Sequence, residues 1–154
     1  MSQKNVEVVR RWHAAISNID PAAIAEVVAE LWDIDADYYP VRKWPEARPC
    51  HGQEAVAQFM SEVADALSRM ESRVRWLIAL DDCRVLGSGE LRWEGRGSGV
   101  SLEGTIYWSY WLRHGHLLRV EDHLSLGGAL RGLGLDGDTL EAVGLSEQDA
   151  HADS

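Results

Sequence analysis

The sequence predicts an α+β domain in which three helices precede a meander of strands. Up to Leu67 apolar residues recur mainly at spacings of three and four, the period of one helix face. From Val74 to Ser125 they alternate instead, in runs separated by Asp, Gly and His turns. Helical segments followed by strand segments, rather than interleaved with them, pack as helices on one face of an antiparallel sheet.

The first helix is expected over Asn5–Ile19, with Val6, Val9, Trp12 and Ile16 on its buried side and Val8 and Ala15 widening the stripe. It breaks at Asn18-Ile19-Asp20-Pro21, where Asp20 can cap a second helix that has Pro21 at its first position. Ile24, Val27, Val28 and Leu31 form that helix's inner face. The stretch 33–51 is rich in Asp, Pro and Tyr and holds one short strand, expected around Tyr38–Val41. Gly52-Gln53-Glu54 opens a third helix with Val56, Phe59, Met60, Val63 and Leu67 inward. Val74, Trp76, Ile78 and Leu80 alternate as a first meander strand, which turns at Asp81-Asp82 into Arg84–Glu94. Gly95-Arg96-Gly97-Ser98-Gly99 leads to a long aromatic strand, Val100–Arg113, and His114-Gly115 to a last one, Leu117–Ser125. A short helix is expected at Ala129–Leu133. Residues 1–135 form the domain, and 136–154 an acidic tail expected to be mobile.

With 45% hydrophobic and 26% charged residues the composition is that of a folded domain. No apolar run is long enough to span a bilayer, and the charged N-terminal helix is unlike a secretory signal, so a cytoplasmic protein is expected. Fifteen basic side chains face nineteen acidic ones up to residue 135, and six acids follow with no base, for a net charge of −10. That balance and the absence of a basic stripe exclude nucleic acid as a partner. Cys50 and Cys83 form no CxxC pair and are expected as two buried thiols rather than a disulfide. The histidines show no metal-ligand spacing, the glycine-rich Gly95–Gly99 segment lies between strands rather than before a helix, and no Ser or Cys nucleophile motif is present. No metal and no cofactor are expected.

Several segments in order resemble the SnoaL-like branch of the NTF2-like superfamily. They are Asn18-Ile19-Asp20, Pro40 to Gly52 before Gln53-Glu54-Ala55-Val56, Gly95 to Val100, Arg113-His114-Gly115 through Leu124, and Ala129-Leu130-Arg131-Gly132-Leu133-Gly134-Leu135. The resemblance spans residues 3–135. It implies a cone in which three N-terminal helices pack on a curved antiparallel sheet, a pocket for an apolar small molecule, and a homodimer formed through the outer face of the sheet. It does not fix a chemistry, because one fold carries many sites.

Compared with the ketosteroid isomerases of that superfamily, Trp12, Tyr39 and Ser109 fall where a tyrosine, a base and a second acid are required, so that activity is not expected. The limonene-type epoxide hydrolases place Arg-x-Asp on one strand and a further Asp on the last. Here Arg92-Trp93-Glu94 and Asp122 correspond, while Ala36 and Tyr38 stand where the water-holding residues would be. Period-two alternation puts Arg92 and Glu94 on one strand face, where they also fit a solvated row of ion pairs. Asp122 is the sharper candidate. It shares a face with Leu118, Val120 and Leu124, and a carboxyl among apolar neighbours is costly to ionise and suited to acid–base work, unless it merely bonds a turn amide or an arginine. SnoaL-like cyclases likewise carry an acid–base aspartate late in the sheet. Both faces of Val100–Arg113 are aromatic. Tyr107, Ser109 and Trp111 are expected to line the pocket with Trp12, Tyr39 and Trp76, leaving Trp108 and Tyr110 outside. The expected function is therefore a cofactor-independent isomerase, cyclase or epoxide hydrolase using Asp122, Arg92 and Glu94 on an apolar molecule. The alternatives are a non-catalytic binding or dimerisation module and, with the fold alone behind it, a trafficking adaptor.

Overall fold

The structure is a computed structural model and describes residues 2–17, 20–41, 47–97 and 99–135. The expectations for the break at Asn18-Ile19 and for the tail 136–154 lie outside these residues. Helices α1 (Ser2–Ser17), α2 (Pro21–Leu31) and α3 (Gln53–Ala66) come first, with strands β1 (Trp32–Tyr39) and β2 (Cys50–His51) between α2 and α3. Strands β3 (Leu67–Ala79), β4 (Arg84–Gly95), β5 (Ser101–Arg113) and β6 (His116–His123) follow, then a short α4 (Leu126–Gly132).

Local chemistry sets the helix boundaries. Asp20 accepts a hydrogen bond from the Ala22 amide at 3.0 Å and caps α2, with Pro21 at its first position; such a cap contributes about 1 kcal/mol. Gly52 precedes α3 at φ 92°, a conformation other side chains resist, and its amide donates to the Ala36 carbonyl at 2.6 Å. On α1 the buried stripe is Asn5, Val9, Trp12, His13 and Ile16.

The six strands form one curved, unclosed sheet in the order β2-β1-β6-β5-β4-β3. It is mixed, not antiparallel as expected: β1 runs parallel to β6, with Tyr38 opposite Val120. A hairpin dictates antiparallel pairing, but no hairpin joins the first strand to the last, so alternation carried no information on their relative direction. The strand expected at Tyr38–Val41 is the longer β1, and β3 begins seven residues earlier than the alternating run from Val74. An irregularity in register between Val74 and Trp76 splits that run. Val74 joins the concave-side core and Trp76 the cluster on the other face.

Helices α1, α2 and α3 cover the concave face with a core that includes Trp32, Phe59, Met60 and Leu117. Helix α4 packs on the convex face, where Leu126, Ala129, Leu130 and Leu133 meet Leu86 and Tyr107. Both cysteines are free; Cys50 is buried, but Cys83 is exposed because it sits in the turn after β3, contrary to the expected pair of buried thiols. No described helix is long and apolar enough to cross a membrane.

Candidate active site

The phase of β5 is set by two glycines opposite it. Gly87 and Gly89 pair with Trp108 and Ile106. A Cβ on Gly89 would lie 2.7 Å from the Trp108 ring, and one on Gly87 3.3 Å from both Trp108 and Tyr110. The missing side chains let these rings lie across β4 inside the concave face. The expected phase is therefore reversed: Ile106, Trp108 and Tyr110 face inward, while Tyr107, Ser109 and Trp111 lie on the convex side.

Inside, β6 supplies Asp122 and β1 supplies Tyr38. The parallel pairing brings them together, and the Tyr38 hydroxyl donates to Asp122 Oδ2 at 2.7 Å. The Val41 amide donates to the same oxygen at 3.3 Å. Helix α1 brings in His13, 3% exposed, whose Nδ1 lies 2.9 Å from Ser72 Oγ and whose Nε2 bonds the Tyr110 hydroxyl. The imidazole also packs on Trp108, with ring centroids 4.1 Å apart. Ser17 Oγ donates to the Ser72 carbonyl and accepts from its amide, at 2.9 and 2.8 Å, which locks the end of α1 to β3 and so fixes the height of His13.

Burial holds the His13 pKa down at about 3, so the ring is neutral near pH 7. Burial, and then the nearby Asp122 charge, push the Tyr38 and Tyr110 hydroxyls well above the usual tyrosine value. Both phenols therefore stay protonated. The cavity bounded by these groups together with Trp12, Ile16, Leu91, Ile106 and Val120 holds only about 10 Å³, the room of one water. Chemically the set is a carboxyl, two phenol donors and a neutral imidazole in a nearly dry interior.

Of the residues singled out from sequence, only Asp122 and Trp12 line this cavity. The register puts Gly87, through Trp108, in the row of Asp122; Arg92 and Glu94 lie further along β4 on the other face, in the rows of Glu71 and Arg69. The proposed Arg92–Glu94–Asp122 arrangement is thus not assembled, because one strand's alternation fixes a face only relative to its own residues. Tyr39 is turned outward, with the Arg119 guanidinium 4.7 Å from its ring centroid, and Trp111 lies on the other side of Arg119 at 5.3 Å. Trp76 and Tyr107 belong to the cluster around α4, and Ser109 Oγ donates to the Ala129 carbonyl at 2.7 Å. Sequence reasoning missed His13, Tyr38, Ser72, Trp108 and Tyr110. A histidine inside the apolar stripe of α1 was the available signal for the first. Among the described residues no group of three His, Cys, Asp or Glu side chains converges as a metal site would.

No family model and no curated protein matches this sequence. Solved structures do. Bal32a, from a soil-derived mobile gene cassette, is 22% identical with a TM-score of 0.67, covering 79% of this chain and 89% of its own. A protein described as a SnoaL-like polyketide cyclase, from Jannaschia sp. CCS1, is 16% identical with a TM-score of 0.61 over 79% of this chain and 85% of its own. An LEH-like epoxide hydrolase of M. tuberculosis is 14% identical with a TM-score of 0.65 over 86% and 94%. At such identities the likeness is one of fold, and the fold of this chain is the NTF2-like one, shared with SnoaL-like cyclase and LEH-like epoxide hydrolase structures.

Proposed function

We propose that the chain is a cofactor-independent enzyme of the isomerase or cyclase type, which moves a proton on an apolar carbonyl compound with Asp122 as the acid–base group. The supporting observation is the Asp122–Tyr38 pair inside the concave face, 2.7 Å apart, in a cavity shared with the protonated Tyr110. A carboxylate removes a proton from carbon most readily when a neutral donor receives the charge that develops on the neighbouring oxygen. Tyr110 is in the same cavity to do this, and a neutral His13 behind it does not compete as a cation. An epoxide-hydrolase reaction through Arg92 and Glu94 has less support, since both lie on the face away from Asp122.

The test needs no natural substrate. Deuterium uptake at the α-carbon of cyclohexanone in heavy water, followed by NMR, should run faster with the protein than in buffer. Asp122→Asn should return it to the buffer rate, a loss of about 10²-fold or more in the protein-dependent rate, with the melting temperature nearly kept. Equal rates for the two proteins would remove the catalytic role of Asp122.

One observation favours the non-catalytic alternative, a binding or dimerisation module: the interior cavity is water-sized. In that case Asp122→Asn alters stability alone. A homodimer through the convex sheet face, where Trp76, Ile78 and Leu80 remain half-buried, belongs to the same proposal and is read by sedimentation.

A further inference from the structure

We infer that an apolar hollow between α1, α2 and α3 is where this chain takes up its ligand, that the ligand is a neutral monocyclic molecule bearing a hydrogen-bond acceptor, and that Trp12 is the partition between hollow and Asp122. What happens at Asp122 rests on the function proposed above; the binding does not.

The hollow has a volume of about 180 Å³. Ala15 of α1 and Ala23 of α2 leave it open, and Ile16, Ile24, Val27 and Met60 supply its apolar wall. A cavity of about 150 Å³ with an aliphatic lining accepts benzene. The space here therefore suits a six-membered ring with one or two further atoms. Asp20 stands at the rim, and the chain carries a net charge of −10, so a carboxylate or phosphate is repelled.

Two features link the hollow to the interior. Trp12 and Ile16 line both it and the cavity that contains Asp122. Trp12 also packs edge-on against Trp32, ring centroids 5.1 Å apart, and Trp32 in turn lies 5.6 Å from Tyr38, the partner of Asp122. The indole N–H of Trp32 is buried without an acceptor among the described residues. Buried donors are rarely left so; Trp32 touches Trp12 but lines neither space itself, so a ligand oxygen reaches this N–H only once the Trp12 ring has turned. Rotation of the Trp12 side chain opens the way from ring site to acid.

Binding to the full chain is measured by ligand-observed NMR and tryptophan fluorescence with three compounds: cyclohexanone, methylcyclohexane and cyclohexanecarboxylate. Cyclohexanone should bind, methylcyclohexane about tenfold more weakly, and the carboxylate not at all. Ala15→Leu and Ala23→Leu, both helix-compatible, each fill the hollow and should weaken cyclohexanone about tenfold or more. Trp12→Ala should admit the bicyclic 1-decalone, which the native protein rejects, and Trp12→Phe should do so in part. Asp122→Asn should bind cyclohexanone as the native chain does. Binding that survives both leucine variants, a bound carboxylate, decalone taken up by the native protein, or no cyclohexanone binding each overturns the assignment. Loss of deuterium exchange with the binding pattern intact leaves the hollow standing and removes only the catalysis.

Discussion

Glu121 and Asp122 are adjacent on β6, and the pleat sends them to opposite faces of the sheet. Glu121, 8% exposed on the convex side, is held by the Arg119 guanidinium at 2.6 Å and by His123 Nε2 at 3.0 Å. Asp122, on the concave side, accepts from a phenol and a backbone amide. A guanidinium stabilises a carboxylate as a fixed charge, and the Glu121 cluster is tied into α4 through the close approach of Gly132. The Asp122 carboxyl is oriented on the concave side by the Tyr38 hydroxyl and the Val41 amide, beside the cavity it shares with Tyr110. Two acids one residue apart thus meet different surroundings, and the cover over each face creates the difference.

Glycine substitution gives the largest expected contrast between the faces. On the concave side, a methyl group at Gly89 falls inside contact distance of the Arg73 carbonyl oxygen and 2.7 Å from Trp108. Backbone cannot step aside as a side chain can, so Gly89→Ala should cost about 3 kcal/mol or more in urea unfolding. On the convex side, a methyl at Gly132 meets the ends of the Glu121, His123 and Ser109 side chains, and about 1 kcal/mol is expected for Gly132→Ala. Equal losses would show that α4 is as firmly seated as the interior.

Acid sharpens the comparison next. His13 has its folded pKa lowered from 6.5 to about 3 by burial. Between those values the unfolded chain binds a proton that the folded chain does not. Stability is therefore fully present above pH 6.5 and declines as pH falls through the window, by about 1.4 kcal/mol per pH unit from this group. At pH 5 the loss should be about 2 kcal/mol, and it should be absent in His13→Gln, whose carboxamide cannot titrate. A native-like pH slope in that variant would place the acid sensitivity elsewhere.

Removal of the convex carboxylate should cost less. Glu121→Gln strips Arg119 and His123 of their shared partner, but Arg119 is nearly half exposed and can turn to water. About 2 kcal/mol is expected, against under about 1 kcal/mol for Asp122→Asn, whose amide oxygen can still accept from Tyr38. The reverse order of the two losses would make Asp122 the structural acid.

Local signals in the sequence located most elements of this fold. Asp20-Pro21 and Gly52 opened α2 and α3, and alternation found β4, β5 and β6. The first half of β3, Leu67–Arg73, was illegible because its polar residues continue the α3 pattern, and only Leu67, Met70 and Ser72 turn inward. The inward position of Asp122 was legible from its alternation with Val120, but the rest of the expected stripe was not. Leu124 is exposed, and Leu117 rather than Leu118 is the buried residue at the start of β6, where the register with β5 shifts. Tyr38 was not assigned to the side of Asp122, because their meeting depends on a parallel pairing between strands more than seventy residues apart. The phase of β5 was a local ambiguity with a non-local answer. Aromatics occupy both faces, and only the space left by Gly87 and Gly89 on the neighbouring strand decides which set enters.

The smallest expected effect falls on the residues that sequence spacing joined to Asp122. Arg92 is exposed and Glu94 half-buried, in a row where Arg92 lies between Glu71 on β3 and Glu103 on β5. Charges of alternating sign across neighbouring strands at a surface contribute little each, because water screens them and long side chains lose freedom when they pair. Arg92→Ala and Glu94→Ala should each change stability by no more than about 0.5 kcal/mol, and neither should alter cyclohexanone exchange in the assay that reads Asp122. A loss of exchange in Arg92→Ala comparable to that in Asp122→Asn would mean that the two side chains act on one substrate, which their opposite faces do not permit without a change in the pairing of β4 and β5.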